Sequence, residues 1–180
     1  MKIFALYTTI ALTKKPDWLD GFMEKYQPRG LHVTLKQPCL IEEENIDDLK
    51  QMVAQFFSHY GSGRLEVVFD EVVYNKDVSG AIMVCARNAD TLVRLQKDLC
   101  LSLSKYSRYV ELRRKEYEVN FRPHITIGDE ITEEDYVSSL SFLKNGCLCE
   151  GVIGEVVLAI VDDMSTEEAI NPKNKYMFRL

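Results

Sequence analysis

The 180-residue sequence predicts an α+β domain built as two similar lobes. Three observations carry this. Short runs of period-two hydrophobicity interchange with longer runs of period 3.6, the marks of strands and amphipathic helices. The pattern His-apolar-Thr-apolar occurs twice, as His32-Val33-Thr34-Leu35 and His124-Ile125-Thr126-Ile127, with a helix and further strands after each copy. No linker, low-complexity tract or composition shift divides residues 1–180, so the halves are expected to form one domain whose motifs meet at the lobe boundary, where ligand clefts are common.

Residues 2–9 predict an apolar inner strand. A secretory leader is not expected, since only Lys2 precedes the apolar run and no clear small-x-small cleavage site follows it. Residues 16–26 predict a short helix with Pro16 in its first turn and Trp18, Leu19, Phe22, Met23 and Tyr26 along one face. Residues 31–36 form the strand of the first motif, which Pro38 is expected to stop. Residues 45–60 predict a strong helix with an apolar stripe of Ile46, Leu49, Val53, Phe56, Phe57 and Tyr60, ended by Gly61 and Gly63. Residues 65–74 and 81–86 predict a hairpin across residues 75–80. Residues 89–106 predict a second long helix with Leu92, Leu95, Leu99, Leu103 and Tyr106 inward. Residues 123–128 form the strand of the second motif. Thr132, followed by three acidic residues, opens a helix that Gly146 is placed to end. A long apolar strand at 152–161, a turn at Asn171-Pro172 and a last strand at 176–180 complete the chain.

Composition narrows the function. The chain is 46% hydrophobic, and no segment has the length of a membrane-spanning helix. Its five cysteines are odd in number and scattered, which fits a reducing cytoplasm better than a disulfide framework. The formal charge of −6 gives no long-range attraction to a nucleic-acid polymer. Phosphate recognition must then be local, as for a nucleotide or a short RNA end. No stable protein partner is implied.

Alternation puts His32 with Thr34, and His124 with Thr126, on one face of each strand. Side by side, two imidazoles suit paired proton transfer and two hydroxyls can donate to an anion's oxygens, so the minimal substrate is a phosphate ester. Continued alternation places Lys36 in phase with Thr34, and Arg122 in phase with His124, as candidate phosphate contacts or solvated strand ends. Residues 105–122 interleave Lys105, Arg108, Arg113, Arg114, Lys115 and Arg122 with Tyr106, Tyr109, Tyr117 and Phe121. That suits a base-stacking platform, or a helix end and connecting loop with a solvated basic face. His59 lies outside either motif. A metal site is not expected: there is no His-x-x-x-His or Glu-x-x-His, and Cys147-Leu148-Cys149 lacks paired partners. No cofactor is expected either, in the absence of a phosphate-binding Gly-x-x-x-x-Gly-Lys loop, a dinucleotide fingerprint or a Gly-x-Ser-x-Gly elbow. A nucleotide- or RNA-binding module that keeps the cleft without turnover remains the alternative.

The segments Leu31-His32-Val33-Thr34-Leu35 and Phe121-Arg122-Pro123-His124-Ile125-Thr126-Ile127 resemble the two-histidine (2H) phosphoesterase superfamily, in particular its 2′-5′ RNA ligase-like group. The order of elements, the length and the closing strands are similar too. The resemblance implies a bilobal α+β fold with pseudo-two-fold symmetry, two antiparallel-rich sheets flanked by helices, and the His-x-Thr strands lining a central cleft. It implies metal-independent hydrolysis of 2′,3′-cyclic phosphates, 2′-5′ phosphodiester bonds or related cyclic nucleotides, with RNA joining as the reverse direction. His32 and His124 are then the catalytic pair, and Thr34 and Thr126 bind phosphate. Two departures bear on substrate preference: Gly128-Asp129 stands where many members carry a basic or aromatic residue, and Lys36-Gln37-Pro38 replaces an apolar-Gly ending.

Overall fold

The computed structural model describes residues 1–26, 30–60, 63–76, 80–87, 89–143 and 147–180. The strands are β1 (Lys2–Lys14), β2 (His32–Ile41), β3 (Leu65–Phe69), β4 (Glu71–Asn75), β5 (Ala81–Cys85), β6 (His124–Gly128), β7 (Cys149–Val161) and β8 (Lys175–Arg179). The helices are α1 (Leu19–Tyr26), α2 (Ile46–Tyr60), α3 (Asp90–Ser102), α4 (Leu112–Val119), α5 (Glu133–Leu143) and α6 (Thr166–Ile170). Every named strand pair is antiparallel. One sheet runs β2-β1-β7-β3, and β8 continues along the β7 edge that β3 begins; the other runs β4-β5-β6.

The long apolar strands build the larger sheet. β1 pairs with β7 from Ile3↔Val161 to Lys14↔Glu150, so both extend further than their hydrophobic runs. The run at 65–74 is two strands rather than one. Leu65–Phe69 pairs with β7, and Glu71–Asn75 pairs with β5 in the second sheet. Asp70 is the crossing point, its N–H donating to the Cys85 carbonyl at 3.1 Å. The alternation of Leu65, Val67 and Phe69 breaks at Asp70-Glu71, where the chain changes sheets. The tip of the β4–β5 hairpin, and the expected helix stops at Gly61 and Gly146, lie outside the described residues.

The helices are exchanged between lobes. α1, from the β1–β2 connection, packs on β6; α3 and α4, from the β5–β6 connection, pack on β2. Each lobe is therefore assembled from both halves of the chain. Trp18 and Phe22 meet Phe142 of α5 at ring separations of 4.8 and 5.7 Å. Gly128 lies against α1: an added Cβ would lie 2.8 Å from Ile131 and 3.0 Å from Phe22. A side chain there would require Ile131 and Phe22 to shift.

The predicted stripes are the buried ones. Leu49, Val53 and Phe57 of α2 and Leu92, Leu95 and Leu99 of α3 face the interior, each contributing roughly 1.5–3 kcal/mol on full burial. α3 ends at Ser102, earlier than residue 106, but Tyr106 stays buried and its hydroxyl donates to Asp48. Residues 112–119, part of a stretch readable as connecting loop, form α4. No helix among the described residues is long and apolar enough to cross a membrane.

Candidate active site

β2 and β6 are each the terminal strand of their sheet, and they lie against one another. Val33 and Leu35, Ile125 and Ile127 are at most 1% exposed, while the alternating His32, Thr34, His124 and Thr126 are half-buried. The apolar pair of each motif thus anchors its strand in the core and turns His and Thr to the other face.

Both histidines are held from behind in the same way. His32 Nδ1 lies 3.0 Å from the Gly30 carbonyl, and His124 Nδ1 lies 2.8 Å from the Arg122 carbonyl. A carbonyl only accepts, so each Nδ1 carries the hydrogen and Nε2 is the basic nitrogen of the neutral ring. Gly30 has φ 72°, a left-handed conformation that glycine adopts without steric cost. The Tyr7 ring meets His32 edge-on at 5.3 Å. Burial pushes the pKa of His124 below its ordinary value; the Arg122 cation adds to this and the Arg122 carbonyl opposes it.

The alternation breaks after Thr34. Thr34 pairs with Tyr7 but Lys36 pairs with Leu6, so β2 carries one extra residue and its phase reverses. This corrects the expectation for Lys36 as a phosphate contact. It is fully buried, with Nζ 2.7 Å from Glu118 Oε1 and 4.8 Å from the Tyr109 ring centre. Gln37 takes the cleft-facing position instead, and its N–H donates to Glu118 Oε2 at 3.1 Å. A second irregularity, between Leu6 and Phe4, lets β2 pass through Pro38 rather than stop. β2 is the outermost strand, where proline is tolerated, and the Pro38 carbonyl accepts from Val110 N–H at 3.1 Å.

Two recesses open along the paired motifs. One, of about 240 Å³, is lined by Tyr7, His32, Met164 and Ile170 among others. The other, of about 280 Å³, holds His124, Thr126, Arg122, Tyr117 and Phe121. Thr34, Gln37 and Arg114 line both. Arg122 does fall beside His124, but its Nη2 is 2.5 Å from Glu71 Oε2, so an incoming phosphate must compete with that carboxylate. Tyr7, Gln37 and Arg114 are the positions that alternation missed. Arg114, Tyr117 and Phe121 were signalled only by the basic-aromatic composition of their segment. His59 lines neither recess, and its Nδ1 lies 2.8 Å from the Gln55 carbonyl. Among the described residues no group of three or more His, Cys, Asp or Glu side chains could hold a metal ion; Cys147 and Cys149 form only a buried pair, 3.6 Å between sulfurs.

Two His-x-Thr strands facing each other between two antiparallel sheets define a two-histidine phosphoesterase. The chain belongs to the 2′-5′ RNA ligase superfamily, whose family model matches residues 10–145. A protein of Halalkalibacterium halodurans named "Putative phosphoesterase BH1439" is 26% identical over 144 residues, 77% of this chain and 78% of its own. Three solved structures share the fold at low identity. E. coli LigT, solved with 3′-AMP, superposes with a TM-score of 0.59 at 13% identity, covering 99% of this chain and 95% of its own. Usb1 of Kluyveromyces marxianus gives 0.55 at 12%, covering 99% and 98%. TT0787 of Thermus thermophilus gives 0.54 at 15%, covering 100% and 95%.

Proposed function

We propose that the chain is a metal-independent phosphodiesterase that opens 2′,3′-cyclic phosphates on nucleotides or short RNA ends, or cuts 2′-5′ linked oligonucleotides. The observation that carries this is the matched pair: two imidazoles on facing strands, each with Nδ1 committed to a backbone carbonyl and a threonine two residues on. In this reading His124, kept neutral by burial, is the base. It takes a proton from water as the water oxygen bonds to phosphorus. His32, protonated, gives its Nε2 proton to the ribose oxygen as the phosphorus–oxygen bond to it breaks. Each transfer contributes roughly 10²- to 10⁴-fold. The Thr34 and Thr126 hydroxyls donate to the non-bridging oxygens.

The solved relatives lend support to a nucleotide ligand. E. coli LigT has been solved with 3′-AMP and with NADP+, and 3′-AMP is a ribose phosphomonoester of the kind this hydrolysis releases. The five cysteines are free, as suits the reducing cytoplasm in which we place the chain.

The test is a panel of 2′,3′-cyclic nucleotides, RNA ends bearing that group, and 2′-5′ oligoadenylate, incubated with and without chelator and resolved by mass and chromatography. Ring opening or 2′-5′ cleavage unaffected by chelator is the expected result. Nucleotide binding without turnover of any member would make the chain a binding module. Formation of 2′-5′ linkages would reveal the joining direction.

A further inference from the structure

Among the described residues Arg114 is the one cation that lines both recesses, beside Thr34 and Gln37 at the seam between them. Its Nε is buried without a hydrogen-bond partner. The nearest carboxylate, Glu111 Oε2, is 3.5 Å from Arg114 Nε and is held more tightly by Arg113 Nε at 2.7 Å. A buried guanidinium N–H without an acceptor is costly unless a ligand supplies one. Two other cations beside the seam are engaged: Lys36 by Glu118 at 2.7 Å and Arg122 by Glu71 at 2.5 Å.

The helix is fixed so that this side chain stays at the seam. Arg114 and Glu118 are four apart on α4 and share a face, which packs on β2. Glu118 accepts from Lys36 Nζ, from Gln37 N–H at 3.1 Å and from the Tyr109 hydroxyl at 2.6 Å. The Gln96 amide donates to the Glu118 carbonyl at 3.2 Å. α4 is thereby tied to the two residues that follow Thr34 by one bulge position.

We infer that Arg114 is a phosphate-binding residue, donating from α4 to the non-bridging oxygens of the phosphate that His32 and His124 act upon. This rests on the reading of the cleft as a phosphoesterase site. A guanidinium presents its donors in a planar fork matched to two phosphate oxygens. Arg114 therefore both recruits the anion and fixes the phosphorus between the imidazoles.

The decisive measurement is binding of inorganic phosphate and of 3′-AMP, by calorimetry, to the wild-type chain, Arg114→Ala and Lys115→Ala. Lys115 is exposed on the same helix, and its replacement removes the same formal charge. Arg114→Ala is expected to weaken both ligands about 10- to 100-fold, the range for hydrogen bonds to a charged group. Lys115→Ala is expected to change neither by more than about twofold. Wild-type affinity in Arg114→Ala overturns the inference and leaves the cleft reading intact. Equal losses in the two variants overturn it too, by showing an effect of net charge alone. Failure of the wild-type chain to bind either ligand overturns the cleft reading itself. If Arg114→Ala does not fold, Arg114→Gln, which keeps the stem and lacks the charge, decides in the same way.

Discussion

His32 and His124 are fixed by the same device: each Nδ1 donates to the carbonyl of the residue two positions earlier, Gly30 at 3.0 Å and Arg122 at 2.8 Å. The device is local, so each strand carries its own. It leaves both neutral rings in one tautomer with Nε2 as the basic nitrogen. Only the environment then distinguishes the two. Arg122 adds its positive charge beside His124.

His32→Ala and His124→Ala are each expected to reduce cyclic-phosphate turnover by at least about 10²-fold, the lower end for loss of one acid–base group. The double variant should be little worse than either single, because the two act as a unit. His59→Ala should retain wild-type rates, since that ring faces neither recess. Steady-state kinetics on all four proteins check this. A single variant of His32 or His124 with near-wild-type kcat excludes paired proton transfer.

Thr34→Val and Thr126→Val keep the shape of the side chain and remove the hydroxyl. In both strands Thr alternates with core residues that are at most 1% exposed, so the strand should hold its place. Loss of one donor to the developing charge is expected to lower kcat about 10²- to 10³-fold, with thermal stability nearly unchanged. A change confined to KM would mean that the hydroxyl binds ground state and transition state alike.

The paired His-x-Thr strands of the candidate site were legible because the pattern is local: one motif of period two, twice. What was not legible depends on register. Counting by twos from Thr34 brings Lys36 into the cleft, but one extra residue opposite Leu6 and Tyr7 turns Lys36 inward and Gln37 outward. Pro38 carried the hint, since a proline continuing a strand marks an edge or a bulge. Arg114 was visible as composition and not as position. Its place depends on α4 packing across the chain onto β2, a long-range fact that no window of sequence contains. The same holds for α1, whose apolar stripe was plain but whose partner, β6, lies in the other half of the chain.

Lys36→Met is expected to destabilise the fold by about 3–5 kcal/mol, because it strands the Glu118 carboxylate without its countercharge. Lys36→Met/Glu118→Met should recover only part of this. The double replacement restores apolar packing, but it orphans the Gln37 N–H and the Tyr109 hydroxyl that Glu118 accepts from. Urea unfolding of the three proteins measures the difference. If Lys36→Met alone matches wild type, the buried pair is not what ties α4 to β2.

The pH dependence follows from His124. Arg114, Arg122 and Asp129 are the charged groups along its recess. Burial is the main cause lowering its pKa and the Arg122 cation the lesser one. A base must be neutral, so the acidic limb of kcat/KM should lie below the ordinary histidine value of about 6.5. Arg122→Met keeps the backbone carbonyl that holds Nδ1 and removes the charge. The limb should then move up toward 6.5 without reaching it, because burial remains. Stability follows the same sign. Between the lowered folded value and the unfolded one, the unfolded chain binds a proton that the folded chain does not. The His124 contribution is therefore fully present above about 6.5, is lost as pH falls below it, and levels off below the folded pKa. His124→Asn should remove that part of the acid sensitivity in urea unfolding. An acidic limb at or above about 6.5 that Arg122→Met does not move would place the base at His32 and the acid at His124.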